Sequence, residues 1–121
     1  MSRSDEGSDA CVFCRIAREE IPAEVVLRED EVVAFRDVNP QAPTHILVIS
    51  TRHVSSVAEM GSGDRDLAGE LLLAAARVAR EEGLEAEGYR LVVNTGSRGG
   101  QTVDHIHVHV LGGRRMTWPP G

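Results

Sequence analysis

Lysine is absent from this chain of 121 residues, and all 13 of its basic residues are arginine. A P-loop phosphate site or a Schiff-base mechanism needs a lysine, so the sequence excludes both of these enzyme classes. The 19 acidic residues bring the formal net charge to −6, which argues against general binding of nucleic acid or of an anionic membrane surface. We therefore expect neither nucleic acid nor membrane among the partners.

Cysteines and long apolar runs are also scarce. The two cysteines are too few for a disulfide framework, and no apolar run approaches the length of a membrane span. The polar start lacks a signal-peptide core, so we expect a cytoplasmic protein with a disordered tail over residues 1–9. Residues 10–121 are long enough to form a single domain with its own core.

The hydrophobic pattern predicts an α+β domain. A short helix is expected over residues 14–20, and one long helix begins at Ser62 or Asp64 and ends at Gly83. Five segments have the pattern of strands: residues 25–28, 32–36, 45–50, 90–95 and 105–111. Short connections between them indicate an antiparallel sheet of five strands.

The stretch 105–111 is the most informative in the chain. His105, His107 and His109 alternate there with isoleucine and valine. Because alternate residues of a strand point to the same face, the three imidazoles are expected to share one face. Neither a core nor a solvated face usually carries a row of histidines, so the row predicts a functional site.

Two kinds of chemistry fit such a row. The three imidazoles can bind a catalytic metal ion, as in a zinc site built from three histidines. Alternatively, one neutral imidazole attacks phosphorus while its neighbours bind phosphate oxygens and move protons. The glycine-rich loop over residues 96–100 favours the second, because glycine lets backbone N–H groups approach an anion closely.

The histidine row resembles the signature of the histidine-triad (HIT) family. The resemblance includes the preceding stretch 99–103 and extends from about Cys11 to Gly121, with further matching motifs at residues 35–37, 40–45, 88–90 and 93–94. The ending Leu-Gly-Gly-Arg-Arg-Met-Thr-Trp-Pro-Pro-Gly is similar to that of the Hint branch, the histidine-triad nucleotide-binding proteins.

The resemblance implies a purine nucleoside phosphoramidase or acyl-adenylate hydrolase that forms a nucleotidyl-histidine intermediate on an AMP-type substrate. His107 would be the nucleophile, His109 would hold the phosphate and His45 would support them from a neighbouring strand. A dinucleoside polyphosphate hydrolase and a non-catalytic nucleotide-binding regulator are the alternatives.

The resemblance also implies how the nucleotide is bound. Phosphate oxygens or the leaving group would contact Asn94, Thr102 and the backbone amides near Gly100 and Gln101, and Asp37 would accept hydrogen bonds from the ribose. The expected purine contacts are Val12, Phe13, Ile16, Phe35 and Val38. For Val12 and Ile16, a place in the ordinary core is an equal alternative.

Cys11 and Cys14 fit either a redox pair or half of a zinc site. A thioredoxin-like pair follows a strand and opens a long helix, whereas here a polar tail precedes the pair. The resemblance implies structural Zn²⁺ held by Cys11, Cys14, His53 and His105, as in family members with a Cys-x-x-Cys zinc site. Four protein ligands close a zinc site, so the chemistry is not expected to require the ion.

The family resemblance finally implies a homodimer in which strands and the long helix meet. Trp118 is expected to lie near the partner's site, as an interface anchor that shapes preference for the leaving group. Asp104 is expected near the surface, and neither it nor Arg98 is assigned a role.

Overall fold

The computed structural model describes residues 10–121, so the disordered tail expected over residues 1–9 lies outside the described residues. The strands are β1 (Val25–Arg28), β2 (Val32–Arg36), β3 (Thr44–Ser50), β4 (Arg90–Val92) and β5 (His107–Gly112). The helices are α1 (Val12–Ala17) and α2 (Arg65–Glu81), with single 3₁₀ turns at Val57–Glu59 and Ser62–Asp64. All neighbouring strands pair antiparallel in the order β1-β2-β3-β5-β4, which confirms the predicted α+β fold.

The sheet separates two cores, which is why β2 and β3 are buried almost throughout. One face packs against α2, whose apolar residues recur at helical spacing. This larger core includes Val32, Ala34, Ile46, Val48, Leu67, Leu71, Ala75, Val78, Ile106, Val108 and Val110. The opposite face carries a smaller core of Phe13, Ile16, Val33, Phe35, Leu47 and Ile49, where α1 packs on the sheet.

Both ends of α2 depart little from the prediction, but the start differs in one detail. Asp64 occupies the N-cap position without accepting a hydrogen bond from the helix. Its carboxylate instead accepts the backbone N–H of Gly61 at 2.8 Å and pairs with Arg52. Asp64 is therefore at the predicted N-cap position, but its carboxylate bonds to groups outside the helix.

The end of α2 is a Schellman cap, as predicted. Gly83 adopts a φ of +76°, and its N–H bonds to the Arg80 carbonyl at 3.1 Å. The N–H of Leu84 bonds to the Ala79 carbonyl at 2.9 Å, and the Leu84 side chain returns to the core.

The start of α1, the end of β4 and the start of β5 also differ from the prediction. Helix α1 begins at Val12 instead of residue 14, because Cys11 Sγ accepts the N–H of Cys14 and caps the first turn. β4 ends at Val92, before the chain reaches the glycine-rich loop. β5 begins at His107, because His105 bonds to Val103 in a turn. Within the described part of the chain, none of the helices is long and apolar enough to cross a membrane.

Candidate active site and metal centre

The strand register places two histidines of β5 and His45 of β3 on the face of the sheet that carries α1. His107 lies opposite Ile49, His109 opposite Leu47, and Leu111 opposite His45. Directly opposed residues of antiparallel strands share a face, and Ile49 and Leu47 belong to the core beneath α1. His45 and His107 are buried there, whereas His109 is half-buried.

The hydrogen bonds of His107 determine which of its nitrogens is free. Nδ1 lies 2.7 Å from the backbone carbonyl of His105. Because a carbonyl only accepts, Nδ1 carries the proton, and Nε2 of the neutral ring keeps its lone pair. Phe13 packs edge-on against this ring, with centroids 5.2 Å apart, and the centroid of the His109 ring lies 4.9 Å from that of His107. The ring is thus held by its Nδ1–H, with the Nε2 lone pair not used by that bond.

His45 and His109 form a pair whose tautomers are also determined by a backbone group. The N–H of Gln41 donates to His45 Nδ1 at 3.0 Å, so the proton of neutral His45 sits on Nε2. His45 Nε2 lies 2.9 Å from His109 Nδ1 and 3.4 Å from the Asp37 carboxylate, and both of these accept. His109 therefore carries its proton on Nε2, where it can donate to a phosphate oxygen.

Burial keeps this pair neutral. Desolvation, aided by the charges that His107 and His45 carry when protonated, lowers the pKa of His109 to about 4. Desolvation also lowers the pKa of His45, against the opposing effect of the Asp37 carboxylate. Both imidazoles are thus uncharged near neutral pH, as the hydrogen-bond pattern requires.

His105 belongs to a different cluster, so the three histidines of the row do not converge on one ion. Its Nδ1 lies 3.3 Å from Cys11 Sγ and 3.4 Å from Cys14 Sγ, while His53 Nδ1 lies 3.2 Å from Cys14 Sγ. The four donor atoms are all within 4.8 Å of one another. The alternative of a catalytic zinc bound by three histidines is therefore wrong, and the predicted Cys₂His₂ set is brought together.

The donor set fits zinc chemically as well as geometrically. A tetrahedral ion with usual bond lengths would place sulfur and nitrogen ligands about 3.5 Å apart, close to the observed spacing. His105 Nε2 donates to the Ser50 carbonyl at 2.8 Å, which leaves Nδ1 unprotonated toward the sulfurs. Burial, with the hydrogen bond and charge of Cys11, raises the pKa of the Cys14 thiol to about 12, so a thiolate would form there near neutral pH only beside a bound cation.

A second group of potential ligands, Asp37, His45 and His109, does not fit a metal ion. Their donor atoms lie within 4.8 Å of one another. A metal on His45 Nε2 would move the ring proton to Nδ1, where it would face the N–H of Gln41. The arrangement is instead that of a chain of hydrogen bonds.

The glycine-rich loop is held together by its own hydrogen bonds. The N–H of Gly100 bonds to the Ser97 carbonyl at 3.1 Å, and the N–H of Gln101 bonds to the Gly96 carbonyl at 3.0 Å. In this conformation both amides thus donate within the loop, and their contact with phosphate stays a prediction. The Gln101 side chain also bonds to backbone groups, Gly96 N–H at 2.8 Å and Ser55 O at 2.6 Å.

The other predicted phosphate ligands differ in their surroundings. Asn94 is half-buried, and its Nδ2 would lie 3.8 Å from a Cβ built on Gly100. The two residues are therefore neighbours, and their contact with phosphate stays a prediction. Thr102 is exposed beside the turn that leads to His105.

The predicted purine contacts divide between core and surface. Phe13 and Phe35 pack edge to face with centroids 5.5 Å apart, and both belong to the smaller core together with Ile16. The core alternative is thus correct for Ile16. Val12 and Val38 are 41% and 99% exposed, so they are the members of the set that are open to a ligand.

Two further residues of the site were missed at the level of sequence. Gln41 acts through its backbone N–H, and Ser50 acts through its carbonyl, so neither role depends on the side chain. The two prolines around Gln41 were the available signal, since they favour a rigid loop before β3. Asp104, Arg98 and Trp118 are exposed, and Trp118 is 82% exposed.

Comparisons with known proteins agree with this fold. The HIT domain model matches residues 18–116. A HIT-like protein of Synechococcus elongatus, itself uncharacterised, is 51% identical over 114 residues, which cover 94% of this chain and 99% of that protein. The crystal structure of a HIT family hydrolase from Legionella pneumophila has a TM-score of 0.90 at 51% identity, covering 92% of this chain and 99% of that one.

Two structures of lower identity belong to a zinc-bound protein and to a nucleotide-binding protein. A zinc-bound histidine triad family protein from Mycobacterium smegmatis has a TM-score of 0.78 at 28% identity, over 89% of this chain and 78% of its own. A histidine triad nucleotide-binding protein from Candida albicans has a TM-score of 0.77 at 26% identity, over 90% of this chain and 82% of its own.

Proposed function

The chain belongs to the HIT family, and on that premise we propose that it hydrolyses a purine nucleoside 5′-phosphoramidate or an acyl adenylate. The family and its named relatives support a hydrolase or nucleotide-binding protein in general. One observation carries the more specific proposal: the 2.7 Å bond from His107 Nδ1 to the His105 carbonyl, which leaves Nε2 as a neutral nucleophile.

In the first step of this proposal, the lone pair of His107 Nε2 attacks phosphorus. The bond from Nε2 to phosphorus forms, the phosphorus–nitrogen bond breaks, and the leaving amine takes a proton from solvent. The Nε2–H of His109 donates to a phosphate oxygen, in the role expected for this residue. Thr102 and Asn94 would bind other oxygens of the phosphate or orient the leaving group.

In the second step, water attacks the nucleotidyl-histidine. The bond from phosphorus to His107 Nε2 breaks, its electron pair returns to the imidazole, and the proton lost by water returns to solvent. AMP leaves and the ring recovers its starting state. The ribose would bind to Asp37, one of whose oxygens lies 3.4 Å from His45 Nε2, and the purine would contact the exposed Val12 and Val38.

We also propose that Cys11, Cys14, His53 and His105 hold structural Zn²⁺. The proposal is supported by the spacing of the four donors and by the zinc in the related Mycobacterium smegmatis protein. The ion would join α1 to the chain before β5, and the four protein ligands would leave no open position for substrate.

A homodimer is the proposed assembly. Leu72 and Leu73 on α2 are 55% and 68% exposed, although the remaining large apolar residues of this helix are buried. β4 is an edge strand followed by the exposed Val93. An apolar helix face and an open strand edge are features that association with a second copy would cover.

The activity is tested by incubating adenosine 5′-phosphoramidate with the intact protein and with His107→Ala. We expect AMP from the intact protein alone, and a mass increase of one nucleotidyl group on His107 after rapid quenching. Arg65→Ala, a change at an exposed residue on the first turn of α2, serves as the comparison variant and is expected to release AMP at the rate of the intact protein. AMP release by His107→Ala at the rate of the intact protein would contradict the mechanism, and no release by either would reject phosphoramidate cleavage.

A further inference from the structure

We propose that Arg114 is a positioning residue for the His45–His109 pair, acting through the loop over residues 37–43. Its guanidinium Nε donates to the backbone carbonyl of Gln41 at 3.0 Å. The N–H of the same Gln41 donates to His45 Nδ1 at 3.0 Å. Arg114 thus holds the residue whose N–H selects the tautomer of His45, without itself contacting either histidine.

The fold brings Arg114 to this loop by a close backbone approach. The pairing of β3 with β5 ends at Thr44 and Gly112, so the chain leaving β5 lies beside the chain entering β3. Gly113 follows with a φ of +90°, and a Cβ there would lie 2.8 Å from Pro43 Cβ. Only glycine allows this approach, which places the guanidinium of the next residue within reach of Gln41.

The bonds within the loop explain why an external contact matters. The Gln41 side-chain amide donates to the Asn39 carbonyl at 3.0 Å, and the Asn39 N–H donates to the Asp37 carboxylate at 2.9 Å. These bonds connect loop residues to one another. The guanidinium of Arg114 connects the loop to the chain beyond β5 and so limits its movement relative to the histidines.

The surroundings of Arg114 favour this role over that of a surface ion pair. Its guanidinium donates to two backbone carbonyls, that of Gln41 and that of Arg115 at 3.3 Å. Within the described residues it forms no ion pair with a carboxylate, unlike Arg36, which pairs with Glu24 and Glu82. A charged donor on a carbonyl makes a stronger bond than a neutral one, so it holds the carbonyl in a defined position.

The consequence for chemistry follows from the tautomers and rests on the proposed function. The Gln41 N–H excludes the proton from His45 Nδ1, whereas the Asp37 carboxylate favours it on Nε2. If the Gln41 N–H moves away, the exclusion is lost. In part of the molecules the proton then transfers to Nδ1, and the Nε2 lone pair faces His109 Nδ1. His109 must in turn carry its proton on Nδ1, so that its Nε2 becomes an acceptor that repels a phosphate oxygen. Removing the guanidinium would therefore depopulate the productive tautomer without removing any contact to substrate.

The experiment compares Arg114→Ala with Arg115→Ala, a matched change at the next residue, which is also exposed. Long-range ¹H–¹⁵N spectra of histidine-labelled protein report the tautomer of His45 directly. We expect the Nε2–H form in the wild type and in Arg115→Ala, and a mixture of both tautomers in Arg114→Ala. We also expect kcat/KM for adenosine 5′-phosphoramidate to fall about tenfold in Arg114→Ala only, the effect of losing one such bond.

A His45 signal that stays in the Nε2–H form in Arg114→Ala overturns the proposal, as does an equal tautomer shift in Arg115→Ala. The spectra need no substrate, so they separate this proposal from the proposed function. If the wild type cleaves no phosphoramidate but the tautomer shifts in Arg114→Ala alone, the proposed activity fails while the positioning role stands.

Discussion

At the scale of single residues, the backbone partners of the imidazoles assign their roles. His107 donates to the His105 carbonyl, His105 donates to the Ser50 carbonyl, and His45 accepts from the Gln41 N–H. Each bond determines which ring nitrogen is free, so chemically identical side chains are suited to three different proposed roles: nucleophile, metal ligand and hydrogen-bond donor.

The burial of His109 predicts a pH dependence of folding stability. Desolvation, followed by the effects of His107 and His45, lowers its pKa from 6.5 to about 4. Between these values the unfolded chain binds a proton at His109 that the folded protein does not bind. Stability is therefore full above pH 6.5 and falls as the pH drops toward 4.

Urea unfolding at about pH 7 and about pH 5 checks this expectation, since most of the difference in bound protons falls between these values. The free energy of unfolding of the wild type should fall more than that of His109→Gln, because glutamine does not titrate. The remaining histidines are present in both proteins, so the difference between the two losses measures His109 together with its coupling to His45 and His107. An equal loss of unfolding free energy in the two proteins would show that His109 does not contribute to the pH dependence of stability.

At the scale of secondary-structure elements, α1 depends most on contacts outside itself. It spans six residues, too few for a helix to be stable alone. Phe13 and Ile16 anchor it to the sheet, and Cys11 and Cys14 place it beside His53 and His105. A metal ion at these four residues would add a link that the small apolar contact area of α1 cannot supply.

Metal removal should therefore loosen α1 more than the sheet. We expect one zinc ion per chain by elemental analysis and a Tm about 10 °C lower after chelation, the size of a loss of about 2 kcal/mol. Hydrogen exchange should increase first in residues 12–17. The double variant Cys11→Ser, Cys14→Ser is the control, and the chelator should not change its Tm; a zinc-free wild type with unchanged Tm would contradict the structural role.

The elements themselves were predictable where a local pattern specifies them. β1 and β2 have the predicted bounds because apolar residues flank a polar turn, and the end of α2 follows from Gly83 and Leu84. The start of α2 was less predictable, because the Asp64 carboxylate pairs with Arg52, which lies 12 residues earlier in the chain. A short stretch of sequence does not show whether a carboxylate will cap its own helix or pair with a residue elsewhere in the fold.

At the scale of the whole molecule, the sheet is covered by α2 on one face and only in part by α1 on the other. The exposed leucines of α2 and the open edge of β4 lie outside both cores. The proposed homodimer would bury these surfaces. Arg90 of β4 donates to the Thr117 carbonyl at 2.8 Å, so Trp118 follows a residue that lies beside this edge, and its role as an interface anchor stays a prediction.

Leu73→Glu tests the assembly, because a buried carboxylate in an apolar interface is costly. Sedimentation velocity should give a dimer for the wild type and a monomer for Leu73→Glu. Arg65→Glu adds the same side chain to an exposed position on the first turn of α2 and should remain dimeric. A monomeric wild type, or dissociation by both changes alike, would contradict an interface centred on Leu73.

The sequence by itself determined the strand pattern, the amphipathic long helix and the presence of a histidine site, because alternation and helical spacing are local properties of the chain. The tertiary structure decided which partners each histidine has. His45 and His109 are 64 residues apart, and Cys11 and His105 are 94 residues apart. It also showed that the amides of Gly100 and Gln101 are used within their own loop. Such pairings depend on strand order and register, since a hydrogen bond selects its acceptor from the atoms that the fold brings within 3 Å or so.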